Sequence, residues 1–490
     1  MPNYIVFCLI SIFIFSTSVN CYGSNGFNPF KYITKGTNST EQPTNTSVSV
    51  KSQVYSPVYM GPQFGLKERD KIISLPGQPL NGVLEFNQYS GYVTVDEYAG
   101  TALFYYFVES FQDPEDKPLV LWLSGGRGCS AFGIGAMMEI GPFRVSRDGE
   151  TLEQNEYAWN IDANVIFLEA PAGVGFSYSN TSDYTSNGDW STAWDSCTFI
   201  VNWLERFSEY KNRDFFIAGE AYAGHFAPQL ARQILYNNMY TDGTKINLKG
   251  IALGNAFMDD DTYILGWLDY FWSHAFMPDD VHQLILSNCN FSSPNVSLFC
   301  QDLLDLAVRE MGNIYAFNIY APSCNVSFNS SCDTFLGSDP CSSNYIEAYL
   351  NNPQVQMALH ANVPATPYFW ESCSPRVSWK TWEDSPDSVL PVIKELMSEG
   401  IRIWLYSGDA DGVVPITSTR YAINKLQPLV QSWPWHAWYT QGEVGGYAVE
   451  YENLTFVSVR AAGHFVPSYQ PARALVLFSS FIQGKLPPSA

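Results

Sequence analysis

Apolar residues along the chain gather into two kinds of run. Short, nearly unbroken runs occupy Gly91–Glu97, Ala102–Ser110, Pro118–Leu123 and Ala163–Glu169, and their length and composition predict strands. Longer stretches with apolar positions three and four apart predict helices at Trp190–Phe207, His225–Met239, Val389–Glu399 and Gln470–Gly484. The last of these carries Ala474, Leu477, Phe478 and Phe481 on one face. Strand-like runs return between the helices at Asp214–Ala218, Leu248–Gly254, Ile401–Ser407 and Leu454–Arg460. Strands alternating with helices predict an α/β fold with a mostly parallel central sheet.

Three stretches stand outside that rhythm. Residues 258–370 hold five of the ten cysteines, four Asn-x-Ser/Thr sequons and several short helical runs. They are expected to form an insertion, or cap, between core segments 70–257 and 371–490. Residues 22–69 are expected to be a flexible leader or propeptide, since 36–57 is rich in Ser, Thr, Asn and Pro without apolar periodicity. Ahead of it, Tyr4–Phe15 is a run of about twelve almost entirely apolar residues, too short to span a bilayer and suited to the core of a signal peptide over residues 1–21. No Lys or Arg precedes that run. No later run approaches the ~18 apolar residues of a membrane helix, so no membrane partner is expected for the mature chain.

Apolar residues make up 46% of the sequence and charged residues 15%, which excludes a disordered chain. Acidic residues outnumber basic ones 48 to 26, and a formal charge of −22 repels phosphate backbones, so no nucleic-acid partner is expected. Of ten cysteines, Cys8 and Cys21 fall in the signal-like region. The rest lack C-x2-C and paired-His spacing, so no metal is expected and a disulfide framework is. Sequons at Asn38, Asn45, Asn180, Asn290, Asn295, Asn325, Asn329 and Asn453 agree with export and glycosylation.

Candidate chemistry concentrates at strand ends. The segment DFFIAGEAYAGHFAP runs from a strand through a turn with small residues, Gly219 and Ala223, into a helix, which is the form of a nucleophile elbow. Its apex should present a hydroxyl, yet residue 221 is alanine, whose methyl group cannot attack a carbonyl. After the strand at Ile401–Ser407 comes Asp411, and after that at Leu454–Arg460 comes His464. Carboxylate and imidazole thus follow the elbow in α/β-hydrolase order, as relics of a triad. Either alone would be read as a polar group satisfied within its loop. His225, His274, His282, His360 and His436 lack such a setting and are expected to be structural. The run WLSGGRGC, Trp122 to Cys129, is a strand entering a glycine-rich turn whose N–H groups could face an oxyanion. It matches no phosphate-loop or complete dinucleotide fingerprint, so no nucleotide cofactor is implied.

From about Asp70 onward the chain resembles the plant serine carboxypeptidases and their carboxypeptidase-like relatives. The resemblance rests on QYSGYVTVDE, KPLVLWLSGGRGCS, APAGVGFSYSN, GEAYAGHFAPQLA, GDADGVVP and AAGHFVPSYQP, in that order. It implies an α/β-hydrolase fold with a disulfide-bearing cap, no cofactor, and release of C-terminal residues from peptides. By position, the oxyanion donors would be the N–H groups of Gly126 and Tyr222. The ligand's terminal carboxylate would lie near Ser124, Glu139 and Glu220; acids facing a carboxylate require that some be protonated, which suits acid pH. Read alone, Glu139 and Glu220 would be ordinary surface or capping acids. The implied disulfides are Cys129–Cys373, Cys289–Cys300 and Cys324–Cys341, with Cys197 a buried thiol and Cys332 unassigned. The implied compartment is the extracellular space or the vacuole, and since some members dimerise, a homodimer is admitted.

Three positions depart from the family's GESYAG elbow and NGGPGCSS loop. Ala221 replaces the nucleophilic Ser, Ser124 replaces Asn, and Arg127 replaces Pro. Two expectations follow: a non-catalytic relative that binds a peptide or small acyl-type ligand, or an enzyme of altered chemistry on the same scaffold. In the second case the activity would be weak carboxypeptidase, acyltransferase or lyase. Ser124 as a displaced nucleophile would have to reach His464 from the oxyanion loop.

Overall fold

The apolar runs pair into one sheet of eleven strands, taken from its left edge to its right. In this computed structural model, residues 57–79, 85–181, 187–291, 296–324, 338–377, 382–429 and 433–489 are described. The signal-like run, residues 36–56 of the leader, Asn38, Asn45, Asn295, Asn325, Asn329 and Cys332 lie outside them.

The left edge is β1 (Lys71–Ile72), β2 (Gln88–Asp96) and β3 (Thr101–Val108). The centre is β7 (Asn164–Leu168), β4 (Leu119–Leu123), β8 (Phe215–Glu220), β9 (Leu248–Gly254), β10 (Arg402–Gly408) and β13 (Leu454–Val459). These six run parallel, while both edges are antiparallel, the right one built by β12 (Glu443–Tyr451) and β11 (His436–Thr440). A separate hairpin joins β5 (Phe143–Val145) to β6 (Leu152–Gln154).

Strand alternation divides the core in two. In β3, Leu103, Tyr105 and Phe107 face one cluster and Phe104, Tyr106 and Val108 the other, as a two-residue period requires. Helices Asp189–Arg206, Ala223–Tyr240 and Leu390–Ser398 cover the first face through residues such as Trp203, Leu230 and Ile393. Pro471–Gln483 covers the second, with Ala474, Leu477, Phe478 and Phe481 all buried. Between β9 and β10 the described residues contribute helices and no strand, and Asp260–Ser273 and Leu298–Met311 pack around a third cluster of their own.

Differences from the sequence reading have local causes. Residues 57–69, assigned there to a flexible leader, already pack: Val58 joins the core, and Gly61 N donates to Asn202 Oδ1 at 2.8 Å. Ala131–Glu139, unassigned from sequence, is a π-helical segment in which Ile140 N reaches back to Gly135 O at 2.8 Å. Its glycines depress helix propensity, but a Cβ at Gly133 or Gly135 would strike the indole of Trp370 or Trp122. Tertiary packing therefore overrides propensity in the element that carries Glu139.

Candidate active site

Because β4, β8, β10 and β13 are parallel, their carboxyl ends share one edge of the sheet, where α/β folds place ligands. The segments leaving those ends carry Ser124 to Cys129, Ala221, Asp411 and His464. The bends that bring them together are confined backbone. Ala221 has φ 51°, in the left-handed region that a non-glycine residue enters only at a cost. It is held there by three hydrogen bonds: its N–H to Gly254 O, and its O from Gly224 N and Phe257 N. Gly126 has φ 92°, and a Cβ on Gly125 would lie 2.4 Å from Tyr222 N, so the glycine-rich loop and the elbow touch backbone to backbone.

Asp411 is fully buried and saturated with donors. Its Oδ1 accepts from Val413 N at 2.7 Å, and its Oδ2 from Val414 N at 3.1 Å and Asn255 Nδ2 at 2.6 Å. His464 Nδ1 lies 2.9 Å from the same Oδ2. A carboxylate only accepts, so Nδ1 carries the proton and Nε2 is left unprotonated in the neutral ring. Burial alone would lower the His464 pKa, but the Asp411 charge, its hydrogen bond and the nearby Glu220 together raise it above the ordinary value. Asn255 was not singled out from sequence; it is a left-handed residue at the end of β9 that braces Asp411 and accepts from Gly408 N at 3.2 Å. The insertion ties both loops, through Gly412 N to Ala316 O, Ile319 N to Ala410 O and His464 N to Phe317 O.

Glu139 and Glu220 come together from the π-helical segment and the end of β8, both buried. As two carboxylates neither could donate to the other, and the Glu139 oxygens have no donor among the described residues. Buried side by side, they could meet only if at least one of them is protonated. Burial, opposed in part by Glu220 and Arg144, raises Glu139 to about 8. Burial and the Glu139 charge push Glu220 well above its ordinary value. The Tyr406 hydroxyl, buried nearby without a partner among the described residues, is held protonated by burial and by both acids. Ser124 is buried, and its Oγ accepts from Trp122 Nε1 at 3.3 Å.

Arg127 turns away from that pair. Its Nη2 donates to Tyr222 Oη and Ser385 Oγ, each at 2.8 Å. Tyr222 Oη in turn reaches Asp189 Oδ1 at 2.9 Å. Asp189, also unnoticed in the sequence, is buried and accepts from Trp382 Nε1 and Gln229 Nε2 as well, with His225 Nδ1 at 3.1 Å. The remaining histidines meet local partners: Tyr270 O, Asp269, Ser90 O and Pro434 O for His274, His282, His360 and His436.

Three disulfides join Cys129 to Cys373, Cys289 to Cys300 and Cys324 to Cys341, the pairs that the resemblance implies, and Cys197 is a buried free thiol. Asn180, Asn290 and Asn453 are exposed. A cleft of about 560 Å³, lined by residues including Met137, Met138, Arg144 and Tyr345, opens beside the segment that ends in Glu139.

The sequence profile of the peptidase S10 family, serine carboxypeptidase, matches residues 76–484. Serine carboxypeptidase-like 40 from Arabidopsis thaliana is 50% identical over 432 residues, 86% of this chain and 84% of that protein. Serine carboxypeptidase 24 from the same plant is 47% identical over 437 residues, covering 86% and 93%. Among solved structures, Kex1Δp, a prohormone-processing carboxypeptidase from Saccharomyces cerevisiae, matches with a TM-score of 0.72 at 22% identity, over 85% of this chain and 96% of that one. At that identity the likeness concerns the fold alone, which is that of the α/β-hydrolases.

Proposed function

The chain belongs to the serine carboxypeptidase family, and from that premise we propose that it is a non-catalytic member that binds peptides, or small acyl-type ligands, by a free carboxylate. The observation that carries this reading is Ala221 at the apex of the elbow. The Asp411–His464 pair at 2.9 Å could still polarise a proton, but no hydroxyl stands at the apex to give one up. The acid pair Glu139–Glu220 would receive the ligand's terminal carboxylate while it carries a proton. Gly126 and Tyr222 would direct N–H groups at the neighbouring carbonyl, in the manner of an oxyanion hole.

The test compares wild type with Ala221→Ser at pH 4–6. A serine-directed phosphonate should leave residue 221 of the wild type unlabelled, and release of C-terminal residues should stay at background. The Ala221→Ser protein should gain labelling at residue 221. Robust turnover by contaminant-free wild type would overturn the reading. The observation behind that alternative, an enzyme of altered chemistry using water activated by His464, is the intact Asp411–His464 geometry.

Passage through the secretory pathway is also proposed, on the three disulfides and the exposed sequon residues Asn180, Asn290 and Asn453. Expression in a eukaryotic secretory host should give a mass shift that a glycan-removing enzyme reverses. Unshifted intracellular protein would sink this part.

A further inference from the structure

In a chain with 48 acidic and 26 basic residues, the arginine of the oxyanion loop makes no ion pair with an acid among the described residues. Its bonds go to two hydroxyls, and both come from one nitrogen, Nη2. The guanidinium lies 4.4 Å from the ring centre of Tyr222 and 5.6 Å from that of Trp382. Nε is buried without a partner among the described residues, whereas Nη1 makes no bond to them, and the residue as a whole is only part-buried. The Asp189 carboxylate is one hydroxyl away, but it already takes Tyr222, Trp382, Gln229 and His225, so its capacity is met from within. A purely structural clamp would explain Nη2 and would leave a cation with unspent donors at the mouth of the elbow.

Position says what would meet it. Glu139 and Tyr406 belong with the second face of the sheet, whereas Tyr222 and Trp382 belong with the first. A ligand with its terminal carboxylate at Glu139–Glu220 and its last peptide carbonyl above Ala221 therefore extends its acyl side toward Tyr222 and Arg127. The open end of a stacked guanidinium suits a carboxylate, which takes two parallel N–H···O bonds.

We propose that Arg127 is a specificity-determining residue, a receptor for an acidic side chain on the acyl side of the ligand, so that the site prefers peptides with Asp or Glu in the penultimate position. This rests on the ligand-binding reading above. Because the wild type is read as inert, the test is of binding. Isothermal titration of the full chain at pH 5.5 would use acetyl-Ala-Glu-Phe, acetyl-Ala-Gln-Phe, and the Gln peptide with an amidated C-terminus.

The Glu peptide should bind roughly tenfold more tightly than the Gln peptide, the size of one charge-assisted hydrogen-bond pair. That preference should vanish in Arg127→Ala, which should still bind the Gln peptide, and should survive in reduced form in Arg127→Lys. Equal affinities in wild type, or a preference unchanged in Arg127→Ala, would overturn the role of Arg127 alone, provided that the free-acid Gln peptide binds and its amide does not. Failure of both free-acid peptides to bind would instead overturn the ligand-binding reading, and this inference with it.

Discussion

The two halves of the candidate site are held by different kinds of bond. On one side, Asp411 collects three donors besides His464, and the backbone of both loops is stitched to the insertion. On the other, the positions that differ from the family pattern are Ser124, Arg127 and Ala221. A serine hydroxyl at the elbow is there to react and contributes no packing that alanine lacks. On the proposed non-catalytic reading, Asp411 and His464 would be kept for folding, since Asp411 holds buried donors that no other group satisfies. The elbow itself carries a left-handed backbone at Ala221, a strain that persists because the bonds to Gly254, Gly224 and Phe257 fix it whatever the side chain is.

That contrast can be broken first at Asp411. In the Ala221→Ser background, Asp411→Asn should reduce any regained labelling about 10⁴-fold, because an amide that donates toward His464 selects the wrong tautomer. In either background the same change sets the amide NH₂ against Asn255 Nδ2 or a backbone N–H, and should destabilise the fold by about 2–3 kcal/mol in denaturant titration. An Asp411→Asn protein as stable as wild type would show that the base half persists for another reason.

A smaller effect sharpens the comparison through pH. Glu139 is raised from 4.5 to about 8, chiefly by burial. A raised acid stabilises the fold fully below the unfolded value, and that contribution is lost as pH rises through the folded one. Melting temperature should therefore fall between pH 5 and pH 8, and Glu139→Gln should flatten the fall. Some slope should remain, since burial raises Glu220, and raises Glu169 to about 7, while Asp411 and Glu220 together raise His464. All three act in the same direction. A wild-type profile no steeper than that of Glu139→Gln would mean that burial does not hold Glu139 protonated.

Much of this was legible in the chain. Alternating runs placed the strands that carry the site to within about two residues, since burial on both faces writes an unbroken apolar signal. The elbow, the glycine-rich turn, Asp411 and His464 could be located because each follows a strand, and the alanine at 221 is visible in the sequence alone. The two right-hand strands, β11 and β12, are not assigned from the sequence, because each is only partly buried and no unbroken apolar run marks them. Also hidden were Asn255, the Asp189 cluster under Tyr222, and the π-helical turn that delivers Glu139. Each of these depends on partners far away in sequence: Asn255 meets Asp411, Asp189 meets Trp382, and Gly133 makes room for Trp370. Sequence by itself determined which chemical groups are present and which one is missing. Only the tertiary structure decided where Arg127 places its donors and that Glu139 and Glu220 are buried together, because hydrogen-bond saturation and desolvation belong to the packed surroundings of a group.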